Sequence, residues 1–534
     1  MVFRHRSALL TTVLIALAAA TASAANHKSP VVKTDTGKVR GKLSNDGQVR
    51  AFLGIPYAAP PVGQLRWQPP QPAEKWHGVR DGTAFGNRCI QTSVFPDMVF
   101  RDPGQSEDCL NLNVWTPAKN KHANLPVMVW IYGGGFVAGG TSEPRQDGVY
   151  LAHKGVVVVS MNYRLGIFGF FVSPQLAAES PAHAAGNYGL MDQTAALRWV
   201  QKNIEQFGGD PKNVTIFGES AGSFSVSTQM ASPLAQGLFA RAIGESGGAF
   251  YSRGLAYAPL AEREKTDPAF AQQVLGTSDL NALRAMSWQD ILEKLRAHHG
   301  PAPFHPDIEG WFLPESVPQV YAEGKQAHIS LLAGWNRDEP SALAINIPAP
   351  PTLESYREKP EQEFGPLAGD FLKAFPADTE AQMIRSDIAY TGARFITFST
   401  WAWLEAQLKT GGQSVYRYYF KRPSPTSEFH PAGSGAFHSD EIEYVFGTLD
   451  SRPGAHWQPA DYQLSNLMQT YWTNSARTGN PNGPGAPDVP NWPQYDASDN
   501  WQVMNLDAQS EAEPAEHRDR WTFLQSVWEG KRQQ

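Results

Sequence analysis

The sequence predicts an α/β fold, a central and mostly parallel sheet flanked by helices, and three observations carry that expectation. Short β-branched and aromatic runs recur at residues 127–132, 156–159, 214–217, 329–333 and 415–420. Continuous apolar runs of this length mark strands buried on both faces. Between the second and third runs, residues 192–204 carry Ala195, Ala196, Trp199, Val200 and Ile204 at helical spacing, and a strand, helix, strand succession implies parallel pairing. The long stretches 255–323 and 342–411 then become large helical insertions above the sheet, placed to shape a pocket.

Nearer the start, residues 31–43 and 49–57 read as short antiparallel strands of a small sheet leading into the main fold. Residues 1–24 have the pattern of a signal peptide: Arg4 and Arg6, an apolar stretch over 8–20, and the small-residue site Ala22-Ser23-Ala24. The stretch falls well short of the roughly 20 residues that span a bilayer, so cleavage near Ala24, export to the periplasm or medium, and no membrane anchor are expected. Glycine and proline are spread along the chain without a linker or repeat, and residues 25–534 read as a single domain. A formal net charge of −7 with dispersed charges gives no basic stripe for nucleic acid. The two cysteines, Cys89 and Cys109, form an even, close pair. In an exported chain this predicts a disulfide, worth about 3 kcal/mol for a loop of this length, and the spacing is too long for a metal or redox C-x-x-C pair.

Gly218-Glu219-Ser220-Ala221-Gly222 directly follows the strand at 214–217 and precedes an apolar segment containing Phe224, Val226 and Met230. In that setting a G-x-S-x-G turn lifts the serine hydroxyl to the end of the sheet, and the flanking glycines admit close backbone contacts. A serine hydroxyl is a weak nucleophile, so Ser220 needs a base within hydrogen-bond reach and a third group to orient that base. Gly133-Gly134-Gly135-Phe136, just after the first buried run, is a loop whose N–H groups can hold an oxyanion. Beyond position 300 the candidate bases are His305, His328, His430, His438, His456 and His517. His438 stands out because the small residues 433–436 deliver it and an apolar segment follows it. Asp338 and Glu339 both lie just past the strand at 329–333, where open α/β sheets bind ligands, and pattern alone leaves the choice open.

The chain resembles the type-B carboxylesterase and cholinesterase family over nearly all of residues 25–534, through motifs that agree in order. They are Phe52-Leu53-Gly54-Ile55-Pro56-Tyr57-Ala58, Glu107-Asp108-Cys109-Leu110-Asn111-Leu112-Asn113-Val114, Gly133-Gly134-Gly135-Phe136, Asn162-Tyr163-Arg164-Leu165-Gly166, Gly218-Glu219-Ser220-Ala221-Gly222, Asn336-Arg337-Asp338-Glu339 and His438-Ser439-Asp440-Glu441-Ile442. The resemblance implies an α/β-hydrolase fold and carboxylic-ester hydrolysis through an acyl-enzyme, with no metal or organic cofactor. It further implies Ser220 as nucleophile, Glu339 as the acid, His438 as the base, and an oxyanion hole from the N–H groups of Gly134, Gly135 and Ala221. It supports the Cys89–Cys109 bridge and implies structural ion pairs of Arg66 with Glu107 and of Arg164 with Asp192. Glu219, Ser246 and Glu441 fall near the implied triad, as a supporting polar network or in a direct role.

The loop from Cys89 to Cys109 contains Phe95 and Phe100 but no tryptophan, whereas cholinesterases carry there an aromatic ring that holds quaternary ammonium. Choline esters are therefore not expected, and the chain is more similar to bacterial carboxylesterases. The partner is a small-molecule ester. The alternatives are a specialised esterase for a charged or bulky ester such as a polycarboxylate or toxin ester, and a non-catalytic binding module of the same family.

Overall fold

The computed structural model describes residues 29–251, 257–300, 302–340, 351–483 and 489–532. Its centre is a sheet of eleven strands. In chain order these are β1 (Lys42–Leu43), β2 (Arg50–Pro56), β3 (Asn111–Thr116), β4 (Leu125–Ile131), β5 (Val157–Met161), β6 (Gly209–Glu219), β7 (Arg241–Glu245), β8 (Ser330–Asn336), β9 (Val415–Phe420), β10 (Gln502–Leu506) and β11 (Glu511–Pro514). Across the sheet they lie in the order β1-β2-β3-β5-β4-β6-β7-β8-β9-β10-β11. The run from β5 across to β10 is parallel, and the antiparallel pairs are confined to the two edges. This is the α/β-hydrolase arrangement. Because β4 pairs with both β5 and β6, the chain reverses its progress across the sheet there, which opens a crevice at the carboxyl ends of β4 and β6.

All five expected buried runs coincide with β4, β5, β6, β8 and β9, with Tyr132, Val156 and Ile329 lying one residue outside their strands. Their apolar residues are covered on both faces: Val127, Val129, Val158, Ile216 and Phe217 are fully buried. The expected helix is α1 (Tyr188–Asn203), which ends one residue before Ile204. The helix after Ser220, α2 (Ala221–Ala231), is buried on every side, which is why its sequence carries no charged residue.

The N-terminal expectation needs correction. A small three-stranded sheet does exist, formed by Val31–Lys33, Lys38–Arg40 and Val79–Asp81. The run at 49–57 does not belong to it: as β2 it pairs with β3 in the main sheet, burying Phe52 and Ile55 completely. Strand β3 itself is hidden from a hydrophobicity reading by Asn111, Asn113 and Thr116. All six of its residues are buried, and its amides are spent on hydrogen bonds, Asn113 Nδ2 to Ser160 Oγ at 3.1 Å and Gly54 N–H to Asn113 Oδ1 at 2.9 Å.

Both long insertions are mainly helical where described, the first with Leu260–Leu275, Leu280–Ala285, Trp288–His298 and Val317–Ala322 beside a two-stranded sheet of Ala258–Pro259 and Asp307–Ile308, the second with Leu353–Phe364, Ala368–Ala374, Glu380–Gly392 and Phe398–Thr410. Ser287 caps Trp288–His298 by accepting the Asp290 N–H, and this helix presents Leu292 and Leu295 to the crevice. Residues 255–256, 301 and 342–350 of these insertions, and the signal-like segment 1–24, lie outside the described residues. Cys89 and Cys109 are joined in a disulfide. Arg66 pairs with Glu107 at 2.6 Å and also donates to the carbonyls of Leu283 and Met286, so it ties the first insertion to the disulfide loop. Arg164 pairs with Asp192 at 2.8 Å, fastening α1 to the loop after β5. Among the described residues, no helix is long and apolar enough to cross a membrane.

Candidate active site

Strand β6 delivers Ser220 at its carboxyl end, where the backbone takes φ 55° and ψ −123°. An L-residue in this region costs of order 1–3 kcal/mol, so the turn must be held by its surroundings. They do so through the Ser220 N–H, which donates to the Glu245 carbonyl at 2.9 Å, and through the absence of side chains on either flank. A Cβ on Gly218 would stand 2.6 Å from the Ile131 carbonyl oxygen, and one on Gly222 would run into the same atom.

The chain brings its three candidates together. Ser220 Oγ lies 2.9 Å from His438 Nε2, and His438 Nδ1 lies 2.6 Å from Glu339 Oε2. The other oxygen of Glu339 accepts from the Asn336 N–H at 2.8 Å and from Ser246 Oγ at 2.6 Å, so three donors converge on one carboxylate. Its neighbour Asp338 turns the opposite way, to the Ala436 N–H at 2.8 Å and to Arg337. Of the other histidines, His305 and His430 line the same cleft without touching Ser220, whereas His328, His456 and His517 lie outside it.

Around the triad sit further buried carboxyls. Glu219 Oε1 lies 3.2 Å from His438 Nε2, and burial pushes its acid up to about 7. Glu245 is pushed up to about 8 by burial and accepts from Trp472 Nε1 at 2.8 Å. Glu441, held well above the usual range by burial and by Glu219, Glu245 and Glu339, accepts from Asn336 Nδ2 at 2.5 Å. Burial lowers the basicity of His438. The carboxylates of Glu219 and Glu339 and the hydrogen bond to Glu339 outweigh that and the opposing charge of Arg145, leaving the imidazole above its usual value. Asn336 was visible only as part of a motif, and its double role, backbone to Glu339 and side chain to Glu441, had no signal of its own.

In front of Ser220 opens a cleft of about 520 Å³, within the range of small-molecule sites. Gly133, Gly134 and Gly135 form its wall beside the serine. Gly134 and Gly135 have φ 103° and 63°, which turns this loop back on itself. Their N–H groups and that of Ala221, at the first position of α2, have no partner among the described residues. Apolar walls come from the insertions and the disulfide loop: Phe270, Leu292, Leu295, Phe304, Phe395 and Phe95. Phe100 instead packs beneath Arg88, 4.6 Å from ring to guanidinium. Arg145, Arg394, His298, His305 and His430 also line the cleft, and sequence had not shown which cations point inward. No cluster of three or more His, Cys, Asp or Glu side chains among the described residues could hold a metal ion.

An α/β-hydrolase sheet with a serine, histidine and carboxylate relay at its crossover crevice defines a serine hydrolase by architecture. The sequence profile of the carboxylesterase family matches residues 28–523. The chain is 36% identical to a fumonisin B1 esterase of Sphingopyxis macrogoltabida, covering 90% of this chain and 88% of the relative. It is 38% identical to a para-nitrobenzyl esterase of Bacillus subtilis, covering 87% and 92%. Among solved structures, a thermophilic PNB esterase superposes with a TM-score of 0.78 at 36% identity, covering 93% of this chain and all of that one. The chain belongs to the type-B carboxylesterase and cholinesterase family, and it is a serine hydrolase of carboxylic esters.

Proposed function

We propose that Ser220 is the nucleophile, His438 the general base and acid, and Glu339 the carboxylate that orients His438, with the N–H groups of Gly134, Gly135 and Ala221 as the oxyanion hole. The observation that carries this reading is the unbroken relay of 2.9 Å and 2.6 Å from Ser220 through His438 to Glu339. His438 Nε2 takes the proton as Ser220 Oγ bonds to the ester carbonyl carbon, and Glu339 stabilises the imidazolium. The negative charge on the carbonyl oxygen falls to the three N–H groups, each worth roughly 2.7–4 kcal/mol in such sites. The bond to the alcohol oxygen breaks, His438 returns the proton to the leaving alcohol, and an acyl-enzyme remains. Water, deprotonated by His438, then releases the carboxylic acid and restores Ser220.

The test is release of p-nitrophenol from short-chain p-nitrophenyl esters by wild type and Ser220→Ala. A loss of at least about a thousandfold supports the reading. Equal inertness of two folded proteins would make a binding module the better description. A narrower substrate, an ester bearing a charged or bulky group such as a polycarboxylate or toxin ester, is favoured by the two arginines lining the cleft, Arg145 and Arg394, and by the relative named for fumonisin B1. Paired esters differing only in a free carboxylate decide it: a higher kcat/KM for the charged member supports that substrate, and a lower one rejects it. We also propose that residues 1–24 are removed on export to the periplasm or medium and that residues 25–534 form one catalytic domain. The Cys89–Cys109 disulfide is compatible with an oxidising compartment. The N-terminal sequence of protein recovered from those compartments tests the cleavage.

A further inference from the structure

Strand β9 reads Val415-Tyr416-Arg417-Tyr418-Tyr419-Phe420, an arginine set in an aromatic strand inside the sheet, third from one edge. A charge in such a place is normally paired. Arg417 is 5% exposed, and its Nε and Nη1 are buried without a hydrogen-bond partner. Among the described residues, no carboxylate comes within ion-pair distance of it. Its guanidinium instead lies over aromatic rings, 4.0 Å from the centroid of Trp335 and 5.5 Å from that of Tyr495. Cation–π contact offsets part of the cost of burying the charge but leaves its hydrogen-bonding edge unsatisfied.

That edge borders a cavity. The register sets Trp335 opposite Tyr419 and Tyr419 opposite Asn505, so these side chains share one face of the sheet with Arg417, two residues before Tyr419. Together with Arg337, Lys421, His517 and Arg520 they line a space of about 100 Å³, room for several waters or one small oxyanion. Of the three carboxylates on the same wall, two are engaged, and the third, Glu516, is exposed at its rim. Glu339 is held by His438, Asn336 and Ser246, and Glu513 by Asn505 and Lys421. Arg337 is paired with Asp338, but Arg520 donates to the Ala374 carbonyl, and among the described residues neither Arg417 nor Arg520 is in ion-pair contact with a carboxylate. The cavity shares no lining residue with the ester cleft, yet Glu339 stands between the two.

We propose that this cavity is a binding site for a small inorganic oxyanion of the phosphate or sulfate type, held chiefly by Arg417 and Arg520. A guanidinium offers a planar fork of donors that matches two oxygens of such an anion, and the aromatic rings fix its plane.

The test is thermal unfolding of the whole purified chain titrated with inorganic phosphate, ionic strength being held constant with sodium chloride. A ligand that binds only the folded state raises Tm with its concentration. The expected result is a saturable rise in wild type that Arg417→Gln abolishes and Arg520→Gln weakens, with no rise when chloride alone is increased. If Arg417→Gln does not fold, Arg520→Gln and a calorimetric titration of wild type with phosphate decide instead. No saturable effect in wild type, or the same rise in the variants as in wild type, overturns the assignment.

Discussion

His430 and His438 lie on one loop, line one cleft and are both more than nine-tenths buried, yet their environments set them to opposite tasks. His438 has a carboxylate on one side, Glu339 at 2.6 Å, the serine on the other at 2.9 Å, and Glu219 within 3.2 Å. His430 stacks flat on Phe437 at 4.1 Å, meets only the Ser427 hydroxyl at 3.0 Å, and has a buried Nε2 without a partner. Burial weakens both as bases. In His438 the neighbouring carboxylates reverse that effect, whereas in His430 burial and the nearby Arg452 charge bring the imidazole down to about 4. The difference teaches that the basicity of a histidine in this cleft is made by what surrounds the ring, not by how deeply the ring is buried.

The comparison breaks most sharply at Glu339. Glu339→Gln keeps the size of the side chain but removes the charge and offers His438 a neutral partner, which makes its surroundings like those of His430. Turnover of a p-nitrophenyl ester should fall roughly ten-thousandfold, the scale set by removing the orienting carboxylate in other triads. KM should change far less, because Glu339 does not line the cleft. A loss of less than about tenfold would detach Glu339 from the relay.

A subtler change acts through Glu219, the first of the charges that raise His438. A carboxylate beside an imidazole favours the protonated ring, so with the pKa raised, the neutral and active form is lost as pH falls through a value above the usual 6.5. Glu219→Gln withdraws that charge, and the acid limb of kcat/KM should move to lower pH. A pH profile measured on both proteins checks the sign, and an acid limb that stays put or moves up would show that Glu219 does not act on His438.

Most of the frame of this site was legible in the sequence. The strands β4, β5, β6, β8 and β9 announce themselves by composition, unlike β3, and the Gly218 to Gly222 turn has one steric solution once a strand precedes it and a helix follows. Asp338 and Glu339 were not separable by pattern, since both follow β8 and only the turn of the chain decides that Asp338 faces Ala436 and Arg337 while Glu339 faces His438. The family resemblance chose between them. The insertions were legible as helices but not as walls: that Leu292 and Leu295 face the cleft depends on how helix Trp288–His298 docks, which no local property encodes. Arg417 was the opposite case, a signal present in the sequence as a charge inside a buried run, whose meaning needs the neighbouring strands and the cavity beside them.

The smallest expected effect belongs to His430 and concerns stability rather than rate. Its folded pKa of about 4 lies below the ordinary 6.5, so above pH 6.5 the ring is neutral in both folded and unfolded chains and costs nothing. Between 6.5 and about 4 the unfolded chain takes up a proton that the folded chain refuses, and stability is lost as pH falls across that window. His430→Gln removes the titration while keeping an amide that can reach Ser427. Its Tm should therefore decline less than that of wild type from pH 6.5 towards 4, with little change in turnover at neutral pH, because His430 does not touch Ser220 or His438. Parallel Tm curves for the two proteins would mean that His430 titrates normally in the fold, and the contrast with His438 would then rest on geometry alone.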